Sequence, residues 1–258
     1  MDPAHRQRSY AVRVDWGLDG AKAIAEGADV AVVVDVLSFT TTLSVALDLG
    51  TAVLPYRWGQ ASAAAFAQEQ DAVLALGRST AGPGQISLSP ATLRATPAPA
   101  RLVLPSPNGS TICWHLAAAT PVCLAASLRN ATAVSAWLDS RYDPRTATIA
   151  IVAAGEQWPG EGLRPAIEDL WGAGFLVDQL AQVGWTVMSP EATAARAAWL
   201  TAADHLPEAL LACASGRELV DKGYSADVEI ATEVNASRSV PLLRSLTFNH
   251  ASTGEVSR

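Results

Sequence analysis

No stretch of this chain stays apolar for much more than a strand's length, far short of the roughly 20 residues a transmembrane helix needs. A membrane-spanning role is therefore not expected. The N-terminal MDPAHRQRSY lacks the apolar segment of a secretory signal. Cysteine is scarce. Cys113, Cys123 and Cys213 are scattered, odd in number and without CxxC spacing, so free thiols in a reducing cytoplasm are expected. His5, His115, His205 and His250 form no HExxH or other zinc spacing. Positive charge is also short. Lys and Arg number 18 against 25 Asp and Glu, a net charge of −7, which argues against nucleic acid or an anionic membrane as partner. An acidic ligand would then need local help, from a cation or from helix N-termini. Neither GxxxxGK(S/T) nor GxGxxG occurs, which removes the common nucleotide-phosphate loops. Aromatic residues make up only 6% of the chain, yet eight of them are Trp, which leaves room for a homo-oligomer interface.

What the chain does contain is organised around Val30 to Gly50. A run of Val and Ala ends at Asp35, a short polar turn follows, and the apolar spacing then changes to Leu43, Ala46 and Leu47 with Gly50 as a stop. That is a buried strand, a turn and a helix. The strand is too uniformly apolar to have one wet face, so it belongs in a sheet covered on both sides. Asp35 then sits at a strand's carboxyl end, where ligands bind in open α/β sheets. Similar units recur. Strands are expected at 11–15, 52–56, 72–76, 102–104, 122–126 and 147–153. Helices are expected at 18–26, 60–70, 110–119, 131–140 and 167–182. Beyond that the chain reads as helical, at 191–203, 207–214, 216–222 and 227–233. Residues 77–90 form a long breaker-rich loop of the kind that serves binding. The fold class expected is α/β: a mainly parallel or mixed sheet flanked by helices in three layers, with a helix-rich C-terminal part. The 258 residues suit one domain or two packed lobes, about 1–145 and 146–258.

Four strand ends are alike in kind: Asp35 with Thr40, Asn108-Gly109-Ser110, Arg129-Asn130, and Gly155-Glu156. Thr40, Ser110 and Asn130 have the residue types of N-caps. Helix N-termini gathered on one edge would present amides to an anion; ordinary capping is the plainer reading of each. Asp35 and Glu156 end the two most apolar strands, and Glu168 and Asp169 open the helix EDLWGAG. Asp35, Glu156 and one of that pair form an oxygen-ligand set suited to Mg²⁺, although acids in a first helical turn are common for dipole reasons alone. Gly172 and Gly174 cost helix propensity. Either a helix or a ligand packs closely against their face, close packing being the preferred reading, or the helix begins later. Other phosphatase signatures fail. Leu37 stands where a haloacid dehalogenase needs Asp. Cys123 and Arg129 have thiolate-phosphatase spacing, but strand residues fill the interval and no glycine is available to wrap a phosphate. Ser215 to Val228 reads as capped helices, or else as a wall bringing Arg217 or Asp227 to a cleft.

Taken together and in order, VVVDVLSFTTT, PNGS, NATAV, AAGE, EDLWGAG and SGRELVDKGYSADV resemble the 2-phosphosulfolactate phosphatase family over most of the chain. The resemblance implies an α/β fold and Mg²⁺-dependent removal of phosphate from 2-phospho-3-sulfolactate. Ser38 and Thr111 stand where many members carry Arg, leaving Arg78 and Arg129 as candidate replacements. The expected site is therefore Asp35, Glu156 and Asp169 as catalytic groups, with Mg²⁺ on Asp35, Glu156, Glu168 and Asp169. Ser38, Thr40, Asn108, Gly109, Ser110, Asn130, Arg129 and Arg78 would contact a small phosphorylated acid. A non-catalytic anion-binding protein is the alternative from another class.

Overall fold

The structure is a computed structural model and describes residues 2–57, 62–160 and 162–251. In chain order its elements are β1 (Val12–Trp16), α1 (Gly17–Ile24), β2 (Val30–Val34), α2 (Phe39–Asp48), β3 (Ala52–Arg57), α3 (Ala63–Glu69), β4 (Val73–Leu74), α4 (Pro90–Arg94), β5 (Arg101–Ser106), α5 (Gly109–Ala119) and β6 (Val122–Ala126). There follow α6 (Ala131–Asp139), β7 (Ile149–Ala153), β8 (Glu156–Gln157), β9 (Leu163–Arg164), α7 (Ile167–Gln182), α8 (Pro190–Ala202), α9 (Leu206–Ala212), α10 (Ala214–Asp221), α11 (Ser225–Ala231), β10 (Pro241–Arg244) and β11 (Thr247–His250). Gln60 and Ala61, expected to start the third helix, lie outside the described residues.

The Val-rich β2 is buried along its whole length, as its lack of a polar face requires. Alternate residues of a strand face opposite sides. Val30, Val32 and Val34 pack into one core with α6, α7 and α8, while Ala31 and Val33 pack into another with α1, α2 and α5. Three layers, α/β/α, follow.

Among the described residues the main sheet has the order β1-β7-β2-β6-β10-β11-β3-β5-β4. The first four strands are mutually parallel, as are the last three. The antiparallel hairpin β10–β11 joins the two sets. β7 inserts between β1 and β2, so Ala153 lies beside Val34 and their following residues share one rim. In a flat sheet of this order, β5 would end on the edge opposite β2. The chain leaving β5 nonetheless comes back to the end of β2, since α5 packs in the same core as the β2 residues Ala31 and Val33. The amide of Gly109, just after β5, reaches Asp35, just after β2, at 3.0 Å.

The joining hairpin has no counterpart among the expected elements, since the chain beyond residue 182 reads as helical. Its strands are four residues each. Its turn sets positive φ at Ser245 and Leu246 (47° and 58°), where the usual hairpin signal is Asn-Gly. The expected loop 77–90 ends in α4, capped by Ser89 and opened by Pro90. Among the described residues, no helix is long and apolar enough to cross a membrane. The three cysteines are free and buried.

Close packing does account for the two glycines in α7. A Cβ on Gly172 would lie 2.7 Å from Val36 Cγ2 and 2.8 Å from Val34 Cγ1, and one on Gly174 would collide with the carbonyl oxygen of Ala195 in α8. Helix propensity alone makes Gly174→Ala stabilising by about 1 kcal/mol. Collision with a backbone atom reverses the sign, and urea unfolding should show a loss of about 1–3 kcal/mol.

Candidate active site

The rim where β2, β5 and β7 end carries two buried carboxylates, each holding two backbone amides. Asp35 accepts from Phe39 N at 3.1 Å and from Gly109 N at 3.0 Å. It thus anchors the first turns of α2 and α5 on the end of β2. Gly109 is needed there, because a Cβ would lie 2.7 Å from Asp35 Oδ2 and overlap the Phe39 ring. Asp169 accepts from Val36 N at 2.7 Å and from Gly155 N at 2.8 Å. It pins the start of α7 to the residues that follow β2 and β7. Gly155 takes φ +66°, a turn that glycine adopts freely.

Two more acids complete the cluster. Glu156, in β8, accepts from Asn108 Nδ2 at 2.9 Å. Glu168 is 2% exposed, and its Oε2 is buried without a hydrogen-bond partner. The four acids feel one another. Burial pushes Asp35 up to about 6, with Glu168 adding to the rise. Burial also lifts Glu156 to about 7, reinforced by Asp35 and Glu168. Asp169 is raised well above the carboxylate range by burial and then by Asp35 and Glu168. Burial and the nearby Glu168 carboxylate push Cys213 up to about 12, which favours its thiol form.

Two arginines approach the acids. Arg78, from the loop after β4, donates through Nη2 to Ser38 Oγ at 2.5 Å and through Nε to Asp227 at 3.0 Å, and its charge opposes the rise at Asp35. Arg164 pairs with Glu156 across β8–β9, donates to Ser215 Oγ at 3.1 Å and lies over the Trp158 ring. It was missed in the sequence. Two-residue strands have no periodicity to read, and only their pairing puts Arg164 next to Glu156. Beside Asn108 and Glu156 opens a cleft of about 450 Å³, with Trp16, Leu18, Ile112 and Leu163 among its walls.

The rim thus brings together Asp35, Ser38, Arg78, Asn108, Gly109, Glu156, Glu168 and Asp169. The remaining expected contacts are spent elsewhere. Arg129 donates to Ser44, Asp48 and Glu233. Asp48 is nine residues beyond Phe39, about 13 Å along α2 at 1.5 Å per residue, so this side chain is drawn away from the rim. Asn130 accepts from the Ser127 amide and donates to the Ser239 carbonyl. Ser110 Oγ donates to the Leu104 carbonyl, and Thr40 Oγ1 to the Asp35 carbonyl. The expected caps are not formed: Thr40 and Ser110 lie inside α2 and α5, whose N-cap positions are held by Ser38 and Asn108, and Asn130 holds the N-cap position of α6 without a side-chain capping bond. All four side chains are braces. Arg217 is exposed on α10.

Among the described residues, no three His, Cys, Asp or Glu side chains stand as a ready-made ligand set for a metal. The donors that do gather are carboxylate oxygens, one of them unpartnered, and that chemistry suits a hard cation carrying its own waters.

A family model described as 2-phosphosulpholactate phosphatase matches residues 20–245. A protein named probable 2-phosphosulfolactate phosphatase from Thermus thermophilus is 34% identical over 219 residues, covering 84% of this chain and 88% of that one. One of the same name from Deinococcus radiodurans is 32% identical over 222 residues, covering 83% and 88%. Fold, rim and matches together define an α/β enzyme of the phosphoric monoester hydrolase class. The chain belongs to the 2-phosphosulfolactate phosphatase family.

The raised acids set a pH dependence. Between the ordinary carboxylate range and about 7 the native state keeps protons that the unfolded chain has lost, so stability falls as pH rises through that window. In chelator-treated protein the melting temperature should drop by several degrees from pH 5 to pH 8, and Asp35→Asn should flatten the slope. A melting temperature that climbs over this range contradicts the assignment. Arg129→Ala should cost about 2 kcal/mol in urea by stripping Asp48 and Glu233 of their shared cation, and should leave KM unchanged in the folded fraction.

Proposed function

We propose that this protein hydrolyses the phosphate ester of a small acidic hydroxy acid, with 2-phosphosulfolactate as the first candidate, and that it does so with Mg²⁺. Family membership supports the reaction class. The observation that carries the site is the meeting of Asp35, Asn108–Gly109 and Glu156, drawn from three strand ends, at one buried point. Asp35, Glu156 and Glu168 would supply oxygen ligands, one or two of which suffice for an ion that also keeps waters; a cation held there would supply Lewis-acid polarisation of the phosphoryl group and offset its charge.

The chain's own groups then have distinct tasks. Asp169 accepts two amides and holds β2 and β7 in register, so it positions the cluster rather than touching substrate. The Asn108 side chain orients Glu156. Arg78 and Ser38 face a phosphoryl oxygen, the guanidinium supplying the charge-assisted donor that phosphate favours. Arg164, on the Glu156 side, meets the second acidic group of the substrate. Arg78 supplies a cation at Ser38, where the family resemblance leads one to expect Arg. The cleft beside Asn108 receives the rest of the leaving group.

Phosphate release from a panel of phosphorylated hydroxy acids, with 2-phosphosulfolactate included, tests this reading. Release should vanish after chelation and return with Mg²⁺. Asp35→Asn should lower kcat at least about 100-fold, the loss seen when one electrostatic group at a transition state is removed. Turnover untouched by the chelator or by Asp35→Asn would sink the metal assignment. A protein that binds these acids and releases nothing is the non-catalytic alternative.

A further inference from the structure

Asp227 is 1% exposed and lies in α11, outside the carboxylate cluster, yet it is tied to that cluster through one side chain. Its Oδ2 accepts from Arg78 Nε at 3.0 Å. Its Oδ1 accepts from Ser89 Oγ at 2.5 Å and from the Ala91 amide at 3.3 Å. Arg78 stands at the start of the long loop after β4 and Ser89 at its end, so one carboxylate clasps both ends. The Arg78 guanidinium is fixed in two further ways. Its carbon lies 5.6 Å from the centre of the Tyr224 ring, and Nη2 donates to Ser38 Oγ. With Nε and Nη2 both held, the planar guanidinium has one orientation. Its Nη1 has no hydrogen-bond partner among the described residues.

We propose that Asp227 is a positioning residue for phosphate recognition: through Arg78 Nε it sets the direction in which the guanidinium faces the end of β2. This rests on the reading above, in which Arg78 meets the phosphoryl group. The carboxylate touches no substrate. A neutral or displaced partner would let the long Arg78 side chain leave Ser38, and the donor pair would be lost with it. The loop that looked like a binding loop from its breakers thus presents Arg78 from a fixed hinge rather than as a mobile arm.

Calorimetric titration of the full chain with inorganic phosphate, in Mg²⁺ buffer, tests the link. Arg78→Ala should weaken phosphate binding roughly tenfold, the scale of one charge-assisted hydrogen bond. Asp227→Asn should weaken it similarly, and adding Asp227→Asn to Arg78→Ala should change affinity less than about twofold, because the two act as one unit. Ser89→Ala, which frees the other oxygen of the same carboxylate, should leave affinity within about twofold even if it lowers the melting temperature. Should Asp227→Asn fail to fold, Arg78→Lys serves, since lysine keeps the charge but cannot hold Asp227 and Ser38 together; it should lose as much as Arg78→Ala. A full Asp227→Asn loss in the Arg78→Ala background, or an Arg78→Lys protein binding like wild type, overturns the proposal. Phosphate binding is read apart from turnover. Coupled binding without ester hydrolysis would therefore reject the proposed reaction and keep this link, and hydrolysis without coupling would do the reverse.

Discussion

Two carboxylates sunk into the rim of the sheet hold four backbone amides, and the rest of the site is built on those bonds. Asp35 binds the amides of Phe39 and Gly109, and Asp169 those of Val36 and Gly155. Each amide belongs to a chain leaving a strand, where sheet pairing has stopped and helix pairing has not begun. A buried amide without a partner costs about as much as a lost hydrogen bond. An acid at each junction satisfies two at once and joins segments more than 70 residues apart in sequence. The penalty is charge crowding. Four acids share the region, and burial together with the neighbouring carboxylates raises the proton affinity of Asp35, Glu156 and Asp169.

The distribution of arginine follows from the same crowding. An acidic protein that handles an acidic ligand must place its few cations with care. Arg129 is used far down α2, between Asp48 and Glu233, where it joins the C-terminal segment to the core. Arg78 and Arg164 come to the rim from a loop and from a two-residue strand, and neither follows a main-sheet strand directly. At the end of β2 a guanidinium reaches Ser38 from Arg78, out of a loop rather than from the strand's own end.

Sheet order explains how distant motifs meet. β7 slips between β1 and β2, so the segment carrying Glu156 lands beside the one carrying Asp35. The hairpin β10–β11 joins two parallel sets that would otherwise be separate sheets. Its short strands and its turn through Ser245 and Leu246 gave no local signal.

Local patterning determined a good deal of this molecule. Val30 to Val34 could only be a doubly buried strand, Ile167 to Gln182 read as a helix with the bounds it has, and the acids at 35, 156, 168 and 169 stood out because strand ends and first helical turns are where such groups have physical work. Those features depend on neighbours a few residues away. Tertiary structure alone decided which polar residues face one another. Asn130 and Asn108 carry the same signature in sequence, each at a strand end before a helix, but packing turned the first inward as a brace and the second toward Glu156. A side chain's partner is set by the order and twist of strands far away in the chain, and no spacing within a motif encodes that.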